Sequence, residues 1–317
     1  MRVIFIGSSS FGLKCLSEIF CLPNIDVVGV ITAPEVFNIS YRPEGVKNVL
    51  FADFSSFCSE NFIPYHVLQK DLKNTIWIDL IKEWQPDLFV VVGWYHMIPK
   101  SWRNIAPAYG LHASLLPDYS GGAPLVWAII NGEKRTGITL FQLADGVDSG
   151  PVVGQLFTEI SEDDTIKTLY GRIEGLGIEL LKVHLPKMAT GSCEMTIQNE
   201  SFRRVFPQRC PEDGKVNWNW PAKKIYNFIR AQTHPYPGAF AFWGDRKIHF
   251  WKAKQFVSDG CYNDIPGTIL GSNAGLLQVV CGDKTSIGIE ILSEGVEDLS
   301  AGIWFCQNQI PATGKFS

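Results

Sequence analysis

His112 ends an apolar run in Gly110-Leu-His-Ala-Ser-Leu-Leu-Pro117, and the Pro- and Gly-rich stretch Asp118-Tyr-Ser-Gly-Gly-Ala-Pro124 follows it. A second glycine-rich loop, Asp145-Gly-Val-Asp-Ser-Gly-Pro151, ends a later apolar run and carries two carboxylates, Asp145 and Asp148. Imidazole is the side chain best suited to relay a proton or to steady a developing negative charge near neutral pH. A carboxylate beside it orients the ring and can hold a bridging water for the relay. A lone histidine at the end of a strand is more often a hydrogen-bonded structural residue than a catalyst. The company of this one favours chemistry, because both loops follow strands, and in a parallel sheet they would reach one edge of a cleft. The residues by themselves leave open which aspartate faces His112.

The elements that must position these loops are legible as short apolar or β-branched runs bounded by Gly, Pro or Asp, at 3–6, 27–31, 88–92, 138–143 and 152–157. Helical spacing of apolar residues marks 13–20, 77–83, 125–130 and 165–183. Strand and helix in alternation predict an α/β architecture on a parallel sheet with its working loops at the strand carboxyl ends. Gly7-Ser-Ser-Ser-Phe-Gly12 follows the first strand and opens a helix, where a backbone nest could hold phosphate. It lacks the G-x-G-x-x-G spacing of a dinucleotide site, so a tight turn beside the cleft is the preferred reading.

Between 186 and 220, Pro186, Gly191, Pro207, Pro211 and Gly214 interrupt a polar stretch. We therefore divide the chain into a domain over 1–188, a linker over 189–207 and a second domain over 208–317. The second should open with a helix over 223–231 and continue as short strands at 239–243, 248–253, 267–270, 276–280 and 286–291, the spacing of a small β-barrel.

Hydrophobic residues make up 46% of the 317, enough material for two cores. A net charge of −4 argues against a broad electrostatic grip on nucleic acid. The eight cysteines show no CxxC pair and no histidine at ligand spacing, which reads as reduced core thiols and no metal centre. The opening apolar run meets Gly7 too soon for a secretory core, and no run approaches the roughly 20 residues of a membrane span. A soluble, cytoplasmic protein with no membrane association is expected.

The pattern HxSLLPxxxGGAP, followed at the end of the next strand by DGxDSGP, resembles the folate-dependent formyltransferases, which include methionyl-tRNA, glycinamide ribonucleotide and sugar N-formyltransferases. The opening FxGSSxFG matches as well. The stretches Val216-Asn-Trp-Asn-Trp-Pro-Ala222, Phe228-Ile-Arg-Ala231 and Pro235-Tyr-Pro-Gly-Ala239 are similar to the start of the C-terminal domain shared by the tRNA and sugar branches. The resemblance implies a Rossmann-like parallel-sheet formyltransferase domain followed by a smaller OB-like barrel, with 10-formyltetrahydrofolate as formyl donor. It makes His112 the catalytic histidine and Asp148 the catalytic aspartate. Amine attack on the formyl carbon builds an oxyanion and a positive nitrogen, so one group must stabilise negative charge while another relays a proton. That chemistry is complete without a Lewis acid, and no metal is expected. The loop at Asp145, Gly146 and Val147 would face the pterin, although a turn-stabilising role for Asp145 is an equal alternative. Gly93-Trp-Tyr-His-Met-Ile98 occupies the place where the family buries the pterin, which makes Trp94, His96, Met97 and Ile98 pocket residues, with plain core packing as the other reading.

The sequence departs from the family pattern at Gly110, where the transferases carry an asparagine two residues before the histidine as an oxyanion donor. The backbone at Gly110, or the side chains of Ser114 or Gln142, are candidate substitutes. Lost donors of this kind cost about 3–4 kcal/mol in other enzymes. The preferred acceptor is a primary amine on a nucleotide-linked amino sugar, with Trp218, Trp220, Tyr226, Tyr236 and Trp243 as stacking faces or, alternatively, barrel core. Methionyl-tRNA is the alternative, with Arg203-Arg204 and Lys223-Lys224 as a candidate patch, although solvated linker and helix faces are the preferred reading of both, and the loop from 32 to 47 holds few cations. Hydrolysis of the donor, with water as acceptor, and a non-catalytic folate binder are further readings. Homodimer formation stays open.

Overall fold

The computed structural model describes residues 1–39, 42–68, 71–255, 261–295, 298–308 and 314–317. The first strand, β1 (Arg2–Ile6), is buried at four successive apolar positions, as a strand covered on both faces must be. It feeds α1 (Ser10–Phe20), whose first turn is capped by the Ser9 hydroxyl accepting from the Gly12 amide at 3.1 Å. The chain continues through β2 (Asp26–Thr32), the hairpin strands β3 (Val36–Ile39) and β4 (Arg42–Lys47), α2 (Ser55–Glu60), β5 (Tyr65–Val67), α3 (Thr75–Trp84) and β6 (Leu88–Val91). After the short α4 (Lys100–Arg103) come β7 (Ala108–His112), β8 (Ser120–Gly121), α5 (Pro124–Ile130), β9 (Arg135–Gln142), β10 (Val152–Glu159) and the long α6 (Ile166–Ala189).

Seven of these strands form one sheet in the order β10-β9-β7-β6-β1-β2-β5. The block from β7 to β5 is parallel throughout, which is the predicted α/β sheet. β9 corrects one expectation, because it runs antiparallel to β7 and sets Thr139 opposite His112 and Gln142 opposite Tyr109. The two glycine-rich loops therefore do not leave the same sheet edge, and the loop after β9 has to fold back to reach His112. One face of the sheet packs Ile4, Ile6, Ile31 and Phe89 against Trp77, Ile81 and Trp84 of α3 and Trp102 of α4. Gly29 of β2 is required there: a Cβ on it would lie 2.3 Å from the Trp84 ring.

The remaining elements are β11 (Val205–Phe206), α7 (Ala222–Arg230), β12 (Ala239–Trp243), β13 (Arg246–Gln255), β14 (Ile269–Asn273), β15 (Leu276–Val280), β16 (Ser286–Ser293), β17 (Asp298–Ser300) and α8 (Ala301–Gln307). An antiparallel sheet runs β12-β13-β16-β15-β14, with β17 paired to β16. Its core is aromatic. Trp218 stacks on Phe316 at 5.8 Å and meets Phe250 edge-on, while Trp304 stacks on Phe316 from elsewhere. Trp243 contacts Trp304 and Phe316, and Trp220 packs on Phe228. These rings are used in packing, which is the barrel-core alternative rather than the stacking faces.

The chain forms two compact units, one of 1–121, 136–158 and 171–205, the other of 122–135, 159–170 and 206–317. No disulfide is present among the described residues. The thiol reading holds for buried Cys15, Cys58 and Cys281, but Cys21, Cys261 and Cys306 are exposed and are not core residues. Among the described residues no helix is long and apolar enough to cross a membrane.

Candidate active site

His112 is the last residue of β7, and its side chain is only 11% exposed. The next residues turn sharply. Ser114 donates its hydroxyl to the Asp118 carbonyl at 2.6 Å, and Tyr119 takes a left-handed φ of 55°. That turn points the Tyr119 carbonyl at His112 Nε2, 2.8 Å away. A carbonyl can only accept, so Nε2 carries the proton and Nδ1 is the nitrogen left for proton transfer.

Nδ1 faces Asp148 Oδ2 at 3.6 Å, too long for a direct hydrogen bond. The same oxygen accepts from the Gly121 amide at 2.8 Å, and the Asp148 side chain is 19% exposed. Asp148 itself has φ 49°, a left-handed conformation that costs a non-glycine residue about 1–2 kcal/mol. Between the two candidates the geometry is decisive. Asp145 is exposed and turned away into ion pairs with Arg103 Nη2 at 2.6 Å and Lys100 Nζ at 3.1 Å, whose hydrogen bonds hold its carboxyl below the usual carboxylate range.

Gly110 lies close to Leu143. A Cβ there would stand 3.0 Å from Leu143 Cδ2, a tight contact that the Leu143 side chain would have to relieve by shifting. Neither side-chain substitute is placed for the task. The Ser114 hydroxyl is committed to Asp118, and Gln142 lies opposite Tyr109 rather than His112. Gly110 is itself paired with Val91 on one side and Phe141 on the other, within the sheet ladder.

The loop at 93–98 is divided between core and surface. Ile98 is buried in the sheet core and Trp94 packs against it, whereas Met97 is 61% exposed. His96 lies 5.5 Å from the Trp94 ring and 5.3 Å from Phe37, and burial pushes its pKa down. Trp94 Nε1 and His96 Nε2 are buried without a hydrogen-bond partner among the described residues. The indole nitrogens of the core residues Trp102 and Trp218 are in the same state. Val147 and Gly146 are exposed on the loop that carries Asp145 and Asp148. The Gly7–Gly12 turn acts by close packing: a Cβ at Gly7 would fall 2.5 Å from the Val92 carbonyl, and one at Gly93, with φ 61°, would fall 1.8 Å from Ser9 Oγ.

Sequence reasoning missed the residues that brace these loops. Gln198 is 7% exposed, and its Nε2 donates to the carbonyls of Asp148 at 2.8 Å and Gly150 at 2.7 Å. Arg203 donates to Ser120 Oγ at 2.6 Å and to Gln198 Oε1 at 3.2 Å, and pairs with Glu200. The Glu200 hydrogen bond raises the Arg203 pKa against the effect of burial, with smaller contributions from the charges of Glu200 and Asp148. Arg204 grips Asp118 through two bonds of 2.7 Å and lies over the Tyr119 ring. All sit in the stretch expected as a linker, whose Pro/Gly punctuation carried no sign of this role.

Residues 1–184 match the family model described as formyl transferase, and residues 210–309 match formyl transferase, C-terminal domain. Solved structures share the fold. HypX from Aquifex aeolicus in complex with tetrahydrofolic acid is 17% identical with a TM-score of 0.62, covering 96% of this chain and 47% of that one. The chain thus spans about half the length of the HypX structures it matches. An N-formyltransferase from Helicobacter canadensis, in complex with folinic acid and dTDP-3-aminofucose, is 18% identical with a TM-score of 0.63 over 91% of this chain and 98% of that one. Methionyl-tRNA formyltransferase from Clostridium thermocellum is 19% identical with a TM-score of 0.54, covering 81% and 94%.

Proposed function

The chain belongs to the formyl transferase family, and on that premise we propose that it transfers a formyl group from 10-formyltetrahydrofolate to a primary amine. The observation that carries this reading is the orientation of His112, with Nε2–H held by the Tyr119 carbonyl and Nδ1 turned to Asp148. As the amine attacks the formyl carbon, Nδ1 takes the proton the amine must lose, and the Asp148 carboxylate balances the charge on the ring. The same nitrogen returns the proton to the folate nitrogen as its bond to the formyl carbon breaks. Trp94, His96, Met97 and Ile98, with Asp145, Gly146 and Val147, would hold the pterin.

For the acceptor we favour a nucleotide-linked amino sugar, as in the Helicobacter canadensis structure. Against tRNA stand the clustered cations themselves: Arg203 pairs with Glu200, Arg204 with Asp118 and Lys223 with Glu162, while Lys224 lies 4.4 Å over the Trp220 ring. Cations neutralised in this way have little left to offer a phosphate backbone. We read 1–188 as the catalytic domain, 189–207 as its connection and 208–317 as an OB-like barrel, in a cytoplasmic enzyme.

The test is tetrahydrofolate release from 10-formyltetrahydrofolate without acceptor, with Met-tRNA, and with nucleotide-linked 3-amino and 4-amino sugars. Release that requires a sugar nucleotide is expected. Release only with tRNA would replace the acceptor, and acceptor-independent release would make the protein a hydrolase.

A further inference from the structure

We propose that Gln198 and Arg203, outside both catalytic loops, are positioning residues that fix the His112–Asp148 pair for proton transfer; this rests on the proposed formyl transfer. The loop from 144 to 150 has no ladder of its own, and Asp148 sits in it at φ 49°. Something outside the loop must hold that conformation. Gln198 does so with one buried amide: its two hydrogens go to the carbonyls of Asp148 and Gly150, at 2.8 and 2.7 Å. An amide could turn over and present oxygen to those carbonyls. Arg203 forbids this, because a guanidinium only donates and its Nη2 takes the amide oxygen at 3.2 Å.

Arg203 reaches the other loop as well. Its Nη1 donates to Ser120 Oγ at 2.6 Å and lies 3.4 Å from the Val147 carbonyl. Ser120 stands between Tyr119, whose carbonyl fixes the His112 tautomer, and Gly121, whose amide holds Asp148 Oδ2. The network is therefore closed: one end sets where Asp148 sits in the backbone, the other sets the two groups that orient the imidazole and the carboxylate. The backbone bonds between Thr196 and Val152, both 2.8 Å, anchor the Gln198 segment, and the Arg204–Asp118 pair anchors the far side. Neither Gln198 nor Arg203 touches the reacting atoms in this scheme. They act on the distance between Nδ1 and Oδ2.

The decisive variants are Gln198→Ala and Gln198→Glu, the second keeping the shape while losing both donors. Each is expected to lower kcat by about 30- to 100-fold with donor and acceptor KM changed less than about 3-fold, as displacement of reacting groups without loss of binding does. Arg203→Lys, which keeps one charge but not the forked donation, is expected to fall between these and the wild type. The second readout is the nitrogen-15 NMR signal of the His112 ring, assigned with His112→Ala. In the wild type Nε2 should carry a proton, and in Gln198→Glu the ring signals should shift while the melting temperature stays within about 3 °C. Should the wild type transfer no formyl group to any acceptor, the functional reading fails and the NMR comparison alone decides the positioning role. Unchanged kcat together with unchanged His112 signals in Gln198→Glu would overturn the proposal, as would a rate loss matched by an equal rise in KM with the His112 signals undisturbed.

Discussion

At the scale of single residues, the two aspartates of one short loop have opposite surroundings. Asp148 accepts from the Gly121 amide and faces His112, whereas Asp145 is exposed and paired with Arg103 and Lys100. Their substitutions should separate cleanly. Asp148→Asn is expected to lower formyl transfer by about 10²- to 10⁴-fold without shifting the thermal melt, the range for loss of a positioned proton-transfer partner. Asp145→Asn should leave the shape of the pH–rate profile unaltered between about pH 5 and 9. The sign follows from its depressed carboxyl: the ion pair is complete above the ordinary carboxylate pKa and is lost only as pH falls through the lower folded value. An acid limb that disappears in Asp145→Asn would contradict this assignment. That His112 and the loop of Asp145 and Asp148 belong together could be read from the sequence, because each follows an apolar run and is followed by Gly and Pro. The roles of Gln198 and Arg203 could not, since a polar run between prolines gives no hint of which backbone carbonyls its amides will meet.

At the scale of elements, β6, β1 and β2 of the parallel block could be anticipated because each carries a mainly apolar, buried run with a helix or turn on either side. The direction of β9 could not, because the apolar pattern of a strand is the same read from either end. The short β5 and α4 escaped for want of length, three and four residues being below any usable period. Packing between elements gives a paired prediction. Gly29→Ala places a methyl group 2.3 Å from Trp84 and should destabilise the fold by about 1–3 kcal/mol in urea titration. Gly171→Ala, inside α6 with no atom within 4 Å of the new methyl, should stabilise it by about 1 kcal/mol through helix propensity. If both changes moved stability the same way, the close approach of β2 to α3 would be wrong.

At the scale of the whole molecule, the sequence announced two bodies, and the chain forms two compact units, although stretches 122–135 and 159–170 cluster with the C-terminal one. Such crossings are invisible to a reading that looks for one linker. The aromatics of the C-terminal part could be counted but not assigned, since a Trp in a core and a Trp in a binding face look alike in sequence; Trp218 against Phe250 and Phe316 is core. Charge behaves similarly. With a net charge of −4 and its paired arginines and lysines satisfied internally, the protein should bind tRNA more weakly than about 10 μM at 0.15 M salt in a gel-shift assay. Tight, salt-sensitive retention would mean that those pairs open. The most direct measurement is to supply 10-formyltetrahydrofolate labelled with carbon-13 in the formyl group, together with the amino-sugar nucleotides, and to follow the label by NMR in wild type and His112→Ala. Label appearing in an N-formyl amide with the wild type, and at least about 100-fold more slowly with His112→Ala, is the expected result. Label appearing as free formate, or reaching the amide as fast without the His112 imidazole, would contradict the account.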